Sequence, residues 1–142
     1  MNIYVAIIYS TMFIGLFVNI FFILTIFSDK KKHIIDPKFT PKISILIPAW
    51  NEGSNNGERL TKTIDSVLNA DYPKDKLEII VINDGSTDDT LKIAESYLLK
   101  GVKVFSNKKS MGKVIALNKG LKHSTGQFVA SLDADSFIYS TY

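Results

Sequence analysis

Two carboxylates, Asp133 and Asp135, follow the apolar run "FVASL" in the printed sequence. If they continue an extended strand, their side chains point the same way, because side chains in a strand repeat every two residues. Like charges on one face cost free energy unless a positive group lies between them. The pair therefore predicts a divalent-cation site, with a strand-to-turn cap as the alternative. Mg²⁺ and Mn²⁺ commonly combine one or two carboxylates with substrate phosphates.

Polar residues also follow two other apolar runs. In "NDGSTDDT" (83–90), Asp84 comes at the tip of a predicted strand, where a carboxylate can accept hydrogen bonds from a ribose hydroxyl or a base N–H. Residues 86–89 are typical of a helix N-terminus, because their side chains can accept hydrogen bonds from unpaired backbone amides. In "PAWNE" (48–52), Trp50 is either a core residue or a flat ring on which a nucleobase stacks.

A lysine beside a glycine marks a third polar segment, "KKSMGKVIALNKG". The phosphate-binding P-loop pattern GxxxxGK[ST] is absent, because Asn107 and Val114 occupy two of its defining positions. Lys113 at a helix start is therefore either a surface lysine or a separate phosphate contact.

The rest of the pattern predicts an α/β scaffold for these residues. The predicted strands are 42–48, 77–83, 102–106 and 128–133, and the predicted helices are 60–68, 91–98 and 114–122. Continuous apolar strands alternating with helices are typical of a parallel sheet that is buried on both faces and has right-handed crossovers. Ligands of such sheets bind at the carboxyl ends of the strands. The polar segments are therefore predicted to converge at one edge.

A long apolar segment precedes this scaffold. Residues 3–27 contain no charged side chain, and at about 1.5 Å per helical residue they are long enough to cross a bilayer core of roughly 30 Å. The segment predicts a retained membrane anchor, with an uncleaved export signal as the alternative. Three lysines, 30–32, follow it and none precedes it, which places the C-terminal side in the cytoplasm. The predicted domains are a transmembrane helix (1–28), a basic linker (29–41) and a soluble part (42–142).

Composition excludes several other classes of protein. The net charge of +3 is small and scattered, so no nucleic-acid partner is expected. The chain has no cysteine, which excludes disulfides and thiolate metal sites. His33 and His123 lack metal-ligand spacing and are interpreted as surface residues.

Four segments in order, "ISILIPAWNE", "LEIIVINDGSTDDT", "NKKSMGKVIALNKGL" and "GQFVASLDADS", together resemble the inverting family 2 glycosyltransferases of the GT-A fold. With the apolar segment upstream, the chain looks most like the membrane polysaccharide synthases, the branch of hyaluronan, chitin, cellulose and poly-N-acetylglucosamine synthases. The resemblance covers about residues 42–136. It implies a Rossmann-like nucleotide-sugar-binding half-domain behind a transmembrane helix, in an enzyme that transfers a sugar from a UDP-sugar to a growing glycan with inversion.

The same resemblance implies roles for individual residues. It implies that Trp50 flanks the uracil, that Asp84 binds the base or the ribose, and that Lys113 lies near the diphosphate. It also implies a Mg²⁺ or Mn²⁺ ion at the DxD pair Asp133 and Asp135, with Asp135 the more direct ligand. The departing diphosphate gains negative charge as the sugar–phosphate bond breaks, and a cation helped by a lysine would stabilise that charge.

One position departs from the family's pattern. Asn83 stands where many relatives have an aspartate, which leaves the nucleoside contacts divided between Asn83 and Asp84. The full set of implied substrate-binding residues is Pro48, Trp50, Asn51, Glu52, Asn83, Asp84, Lys113 and Asp133.

An inverting transferase also needs a general base to deprotonate the acceptor hydroxyl. In the family this base comes from a later acidic motif such as TED, followed in the synthases by QxxRW, and neither is among the 142 residues. We therefore expect the base beyond residue 142 and interpret 42–142 as the donor-binding part of a truncated glycosyltransferase domain. The alternative is a non-catalytic nucleotide-sugar-binding membrane module or an inactive fragment.

The resemblance also implies the partners and the location of the chain. We expect a UDP-sugar donor, a glycan or lipid-linked acceptor, and the lipid bilayer as partners. A separate chain that carries the missing C-terminal half is a further expected partner if the gene is split. The expected location is the cell membrane, with one crossing in this chain and the globular part in the cytoplasm.

Overall fold

The computed structural model describes residues 2–27 and 39–139 of the chain. The chain divides into two compact units, residues 1–36 and 37–142, and each unit is considered by itself. Most of the predicted basic linker (29–41) lies outside the described residues. The domain boundaries drawn from the sequence therefore stay a prediction.

The first unit contains one helix, α1 (Ile3–Phe27), which carries no charged side chain. Residues Ile3–Thr25 of this helix are long and apolar enough to cross a membrane. Four of its polar side chains each donate a hydrogen bond to the carbonyl oxygen of the residue four positions earlier. These bonds run from Ser10 (2.9 Å), Thr11 (3.1 Å), Asn19 (2.8 Å) and Thr25 (2.8 Å).

The second unit alternates strands and helices. In chain order they are β1 (Ile43–Ala49), α2 (Glu58–Leu68), β2 (Leu77–Asn83), α3 (Thr90–Glu95), β3 (Lys103–Ser106), α4 (Lys113–His123) and β4 (Phe128–Ser131). Single 3₁₀ turns lie at Ser54–Gly57, Lys74–Lys76 and Leu98–Lys100. All four strands are parallel, in the order β3-β2-β1-β4. The predicted α/β fold with a parallel sheet is confirmed.

Helices cover both faces of the central strands. Alternate residues of β1 point to opposite faces, so that Ile45 and Ile47 pack with α2 and α3 while Leu46 packs with α4. The apolar stripe of α2, at Leu60, Ile64 and Val67, is fully buried on the first of these faces. This two-sided core fixes the register of β1 on β2, and with it the loops that follow both strands.

The prediction that the strands are buried on both faces is correct for β1 and β2 and wrong for the outer two. All four residues of β4 are exposed, and β3 is at most half-buried. The reason is position, because β3 and β4 each pair with one neighbour only within the described residues. The fourth strand is also shorter than predicted, since it ends at Ser131.

The second predicted helix, 91–98, is likewise shorter. The α-helix α3 ends at Glu95, and the chain continues through a 3₁₀ turn at Leu98–Lys100. Gly101 then ends this turn with φ of +86°, a left-handed conformation that favours glycine. Gly101 therefore ends the helical segment.

Candidate functional site

The strand order creates a crevice at the carboxyl ends of β1 and β4. Ligands of open parallel sheets bind where the strand order reverses, which here is between these two strands. A pocket of about 340 Å³ opens at this edge. It is lined by Pro48, Ala49, Trp50, Glu52, Asp84, Ser110, Gly112, Lys113, Ala116, Asp133, Ala134 and Asp135.

Seven of the residues that the sequence singles out line this one pocket. They come from the segments after β1, β2 and β4 and from the start of α4: Pro48, Trp50, Glu52, Asp84, Lys113, Asp133 and Asp135. The predicted convergence of polar segments at one edge is therefore present in the structure. Asn51 and Asn83 are not among the lining residues.

Asp133 and Asp135 lie in a turn rather than on the extended strand that their spacing predicts. The turn is closed by the backbone N–H of Ser136, which donates to the carbonyl of Asp133 at 3.0 Å. Both aspartates nevertheless line the pocket, with the buried Ala134 between them. Ala134 is held in place because its carbonyl accepts a hydrogen bond of 2.8 Å from the hydroxyl of Thr63 on α2.

Lys113 supplies the positive charge next to this pair. Its Nζ lies 2.5 Å from Oδ1 of Asp133, and about half of each side chain is exposed. An ion pair this exposed is worth little for stability. The lysine can therefore leave the aspartate for a more highly charged partner at little cost.

Glu52 adds a third carboxylate to the pocket wall. Burial and then the negative charge of Asp135 raise the pKa of the Glu52 carboxyl above its ordinary value. No group of three or more acidic or histidine side chains close enough to hold a metal ion is found among residues 2–27 and 39–139. A cation held beside Asp133 and Asp135 would therefore need further ligands from outside these side chains, such as phosphate and water.

Asp84 holds the loop that follows β3. Its carboxylate accepts hydrogen bonds from the side chains of Asn107 (2.8 Å) and Ser110 (3.0 Å) and from the backbone N–H of Gly112 (2.8 Å) and Met111 (3.0 Å). Burial opposes ionisation of Asp84, but these hydrogen bonds outweigh it and keep the pKa of its carboxyl below the usual value. The loop 107–112 is fixed in this way, and it carries Lys113 to the pocket.

Gly85 allows that loop to pass close to β2. Its φ is +65°, and an added Cβ would lie 2.3 Å from the carbonyl carbon of Lys109. Both observations require glycine here, because a side chain would strain the backbone and collide with the loop. The glycine that follows Asp84 therefore allows the backbone after β2 to lie against the backbone of the loop 107–112.

Trp50 stands at the mouth of the pocket. Its side chain is 56% exposed, so the interpretation of Trp50 as a core residue is wrong. The backbone after it is fixed by Asn51, which has φ of +53° and whose Oδ1 accepts a hydrogen bond from the N–H of Thr87 at 2.9 Å. This bond ties the loop after β1 to the loop after β2.

Asp88 makes the second tie between the same two loops. One of its oxygens accepts from the N–H of Gly53 at 2.7 Å and the other from the N–H of Thr90 at 3.0 Å. The predicted capping role for residues 86–89 is thus confirmed for Asp88. Asp89, directly before α3, makes no side-chain capping bond.

Asn83 is internal, since its Nδ2 donates to Oγ of Ser106 on β3 at 2.9 Å.

Sequence reasoning missed Ser110 and the clamp on the loop 107–112. The signal was available in the pattern "NKKSMG", because asparagine, serine and glycine next to a lysine are typical of a turn built around an acceptor. What the pattern lacks is the identity of that acceptor. Asp84 lies 23 residues from Asn107 along the chain, and their contact depends on the β2–β3 pairing.

Comparison with known families defines the class of this protein. The model of glycosyl transferase family 2 matches residues 44–141, which include every pocket residue described above. The chain therefore belongs to glycosyltransferase family 2, and its fold is GT-A-like.

Individual relatives agree with this assignment. An uncharacterized glycosyltransferase of Haemophilus influenzae is 41% identical over 97 residues, covering 67% of this chain and 28% of that protein. The crystal structure of Staphylococcus aureus TarS in complex with UDP-GlcNAc has a TM-score of 0.61 at 33% identity, covering 68% of this chain and 27% of that one. The mannosyltransferase PcManGT of Pyrobaculum calidifontis, in complex with GDP-Man and Mn²⁺, has a TM-score of 0.71 at 26% identity, covering 93% of this chain and 39% of that one.

The chain is much shorter than these relatives. It spans 28% of the Haemophilus protein, 24% of the probable glycosyltransferase YdaM of Bacillus subtilis and 28% of the glycosyltransferase YibD of Escherichia coli. The activity of a whole glycosyltransferase is therefore a matter of proposal for this chain.

Proposed function

We propose that this chain is the donor-binding part of a membrane-anchored, metal-dependent glycosyltransferase of the polysaccharide synthase branch. In this proposal it binds a UDP-sugar, whose sugar is transferred with inversion to a glycan or lipid-linked acceptor. The observation that carries the proposal is the pocket between β1 and β4, which combines an exposed ring, Trp50, with a lysine and a pair of aspartates. These are the groups that a base, a diphosphate and its cation require.

In the proposed complex the nucleoside lies against the side of the pocket formed after β1. Trp50 stacks on the uracil, since stacking needs a flat and accessible ring. Asp84 contributes one edge of its carboxylate to the nucleoside. The oxygens of Asp84 already accept hydrogen bonds from the loop 107–112. The nucleoside either replaces one of these hydrogen bonds or adds to them.

The diphosphate lies between α4 and the turn after β4. Asp135 would be the main protein ligand of a Mg²⁺ or Mn²⁺ ion and Asp133 the second. When bound, the ion stabilises negative charge on the leaving diphosphate. Lys113 leaves Asp133 for the phosphate, and its position at the first turn of α4 adds the favourable helix N-terminus.

The membrane part of the proposal rests on α1. The described part of this helix has no charge, and the hydroxyl and amide groups of Ser10, Thr11, Asn19 and Thr25 bond within the helix, which suits a lipid environment. The lysines 30–32 support a cytoplasmic position for the domain by the positive-inside rule. That side is where a nucleotide sugar is available to the proposed donor pocket.

The experiment measures nucleotide binding to the full chain in detergent by calorimetry. UDP, UDP-GlcNAc and GDP-Man are titrated in the presence of Mn²⁺, of Mg²⁺ or of a chelator. We expect UDP compounds to bind more tightly with metal than with chelator. Asp135→Asn should remove this difference, while Asp71→Asn, an exposed aspartate before β2, should leave it unchanged.

Three outcomes would contradict parts of the proposal. UDP affinity that is the same with metal and with chelator would remove the role given to the two aspartates. A preference for the guanosine compound would overturn the choice of donor. Absence of binding to any nucleotide, in protein whose fold is verified by circular dichroism, would reject the donor site itself.

A second candidate is a nucleotide-sugar-binding membrane module without transferase activity. It is favoured by the site itself, in which the described groups serve the donor and the diphosphate. Incubation with labelled UDP-sugars and a range of acceptor saccharides separates the two candidates. An elongated glycan would support the enzyme, and binding without turnover would support the module.

A further inference from the structure

The two aspartates of the pocket lie past the end of their strand. Within the described residues β4 pairs with β1 alone, and all four of its residues are exposed. The pairing closes with a bond of 2.9 Å from the backbone N–H of Leu132 to the carbonyl of Leu46. Asp133 and Asp135 follow in a turn, so contacts outside the sheet have to fix the directions of their side chains.

Helix α2 supplies two hydroxyl groups to the segment after β4. The hydroxyl of Thr63 donates to the carbonyl of Ala134 at 2.8 Å. Further along the helix, the hydroxyl oxygen of Ser66 accepts a hydrogen bond of 3.1 Å from the backbone N–H of Ile138. Side chains three residues apart lie on the same face of a helix, so the segment 134–138 runs along α2 and is held at both ends.

The helix that carries these hydroxyls has a fixed place in the second unit. Its apolar stripe, Leu60, Ile64 and Val67, is fully buried against the sheet. Thr63 lies beside this stripe and is itself fully buried. Because threonine is branched at Cβ, it has only two common χ1 rotamers in a helix. The hydroxyl of Thr63 is therefore held both in place and in direction.

The hydroxyl of Thr63 has two acceptors within reach and a single proton to donate. One acceptor belongs to its own helix, the carbonyl of Arg59 at 3.1 Å, and the nearer one is the carbonyl of Ala134. A valine has the same shape as threonine and buries no polar group, so it would fill this position without the cost of desolvating a hydroxyl. What a valine would lack is the bond to the turn.

The carbonyl that Thr63 holds belongs to the peptide group between Ala134 and Asp135. A peptide group is planar, so a bond to its oxygen also orients the backbone nitrogen of Asp135. The same turn is closed by the backbone N–H of Ser136, which donates to the carbonyl of Asp133 at 3.0 Å. The turn sets the directions in which both aspartates leave the backbone, and α2 holds the turn.

From these contacts we propose that Thr63 is a positioning residue for the cation that Asp133 and Asp135 would bind, with Ser66 as the second anchor of the same turn. Both hydroxyls act through the backbone of the turn. Two carboxylates share one cation well only when their supporting shell keeps them in place, and a turn that can reorient loses this preorganisation. The inference rests on the metal role proposed above and goes beyond it by naming the groups that hold the ligands.

The alternative is that apolar packing alone holds the turn. Ala134 is part of the core and Leu132 packs against it. Thr63 would then contribute to the stability of the fold and have no effect on the cation. The two explanations differ in the result of removing the hydroxyl while its shape is kept.

The test uses four variants of the full chain in detergent. Thr63→Val removes the hydroxyl and keeps the shape, and Thr63→Ser keeps the hydroxyl. Ser66→Ala removes the second anchor at a less buried position and decides the question if Thr63→Val does not fold. Thr61→Val is the matched control, because Thr61 lies on the same helix and its hydroxyl donates to the carbonyl of Gly57 at 2.8 Å.

The first measurement is Mn²⁺ affinity. Mn²⁺ is titrated into mixtures of the chain and UDP, with UDP alone as the blank, and free Mn²⁺ is read by electron paramagnetic resonance. We expect the dissociation constant for Mn²⁺ to rise about tenfold in Thr63→Val, the lower end of the usual effect of groups that orient metal ligands. Thr63→Ser should restore the affinity, Thr61→Val should leave it unchanged, and Ser66→Ala should weaken it by a smaller factor. UDP affinity in chelator should be the same in all of them.

The second measurement is hydrogen exchange without metal or nucleotide. The amide of Ser136 closes the turn, so peptides that cover 132–138 should exchange faster in Thr63→Val and in Ser66→Ala than in the unchanged chain. Exchange in Thr63→Ser and Thr61→Val should match the unchanged chain. This measurement reports on the turn whether or not a cation binds there.

Three results would overturn the inference. Thr63→Val that melts at a lower temperature but binds Mn²⁺ as tightly as the unchanged chain would leave Thr63 a core residue. A loss of Mn²⁺ affinity that Thr63→Ser does not restore would assign the effect to packing. If Thr63→Val is unfolded, Ser66→Ala with unchanged exchange at 132–138 and unchanged Mn²⁺ affinity would reject the hold of α2 on the turn.

The proposed function and this inference fail in different measurements. UDP binding by the unchanged chain that is equal in Mn²⁺ and in chelator would contradict the metal role of the aspartates, and the inference would fall with it. Mn²⁺-dependent binding that is the same in the unchanged chain and in Thr63→Val would reject the inference alone.

Discussion

Trp50 is the residue whose removal tests the pocket most directly. Its ring is exposed and makes no part of either core, so Trp50→Ala should leave the fold intact. A stacked base is worth about 1–3 kcal/mol, so the dissociation constant for UDP should rise roughly 5- to 150-fold. Trp50→Phe keeps a flat ring and should retain most of the affinity. Calorimetry on the three proteins measures the effect, and an unchanged dissociation constant for Trp50→Ala would place the base elsewhere.

The ionised side chain of Glu52 is expected to lower the stability of the folded protein. Its pKa is raised in the folded state by burial and by Asp135, so the folded protein binds this proton more tightly than the unfolded chain does. Stability from this group is therefore present at low pH and is lost as pH rises through the folded pKa. At neutral pH, Glu52→Gln removes the penalty of the ionised form.

The expected result for Glu52→Gln is a higher melting temperature at pH 7 than that of the unchanged chain, and a difference that shrinks toward acidic pH. Thermal unfolding followed by circular dichroism measures both. Glu95→Gln, an exposed residue at the end of α3, is the control. Equal destabilisation at all pH values would show that hydrogen bonds of Glu52, and not its charge, matter to the fold.

Single residues were predictable where their chemistry is unusual for their position. A lone tryptophan after an apolar run and two closely spaced aspartates are rare enough to stand out, and both line the pocket. Asn51 and Asn83 stand next to such residues in sequence but bond to the scaffold instead, Asn51 to the loop after β2 and Asn83 to β3. Adjacent residues in extended or turn backbone point in different directions, and the sequence does not state which of them faces the crevice.

At the scale of elements, the loop 107–112 depends on one carboxylate. Asp84→Asn keeps the size of the side chain but replaces an acceptor oxygen with a donor amide facing backbone N–H groups. Hydrogen bonds to a charged group contribute about 1.5–3 kcal/mol, so we expect a destabilisation of about 2–3 kcal/mol. The amides of Met111 and Gly112, which donate to Asp84, should exchange faster with solvent deuterium.

Hydrogen exchange by mass spectrometry locates this effect. Faster exchange should be confined to peptides that cover 107–112, and Asp89→Asn should leave those peptides unchanged because Asp89 makes no capping bond. Uniformly faster exchange across the second unit would mean that Asp84 supports the whole fold rather than the loop. Unchanged exchange in both variants would show that the loop does not depend on Asp84.

The elements themselves were largely predictable, and the exceptions lie at the edges. The stretch 77–83 is the observed β2 without change, because a continuous apolar run between polar segments has one stable place in a parallel sheet. The fourth strand ends two residues before its predicted end. An outer strand has fewer neighbours to define where it stops, so its boundary is set by the turn at Asp133 that local pattern does not specify.

At the scale of the whole second unit, Glu78 connects all four strands. Its carboxylate, on β2, accepts bonds from Ser44 on β1, from Lys103 on β3 (2.7 Å) and from the backbone N–H of Thr125 in the segment between α4 and β4 (2.8 Å). Burial raises the pKa of the Glu78 carboxyl, but the hydrogen bonds from Lys103, Ser44 and Thr125 have the larger effect and lower it from 4.5 to about 2. A buried glutamate at a strand start was not predicted, since its partners come from three separate segments.

The acid stability of the sheet should therefore depend on Glu78. A pKa that is lower in the folded state gives stability that is present above the unfolded value of 4.5 and is lost as pH falls from there toward about 2. A difference of this size corresponds to about 3 kcal/mol at neutral pH. Glu78→Gln should lose roughly that amount at pH 7 and should show a nearly flat stability between pH 5 and pH 2, apart from the contribution of the other carboxylates.

Urea unfolding of the full chain in detergent measures this through the fluorescence of Trp50, the single tryptophan, which reports on the second unit alone. Glu95→Gln should reproduce the pH profile of the unchanged chain. A Glu78→Gln profile that still falls as steeply as that of the unchanged chain would show that the acid sensitivity of the sheet comes from other groups, with Asp84 and Asp88 the next to test because their pKa values are also lowered.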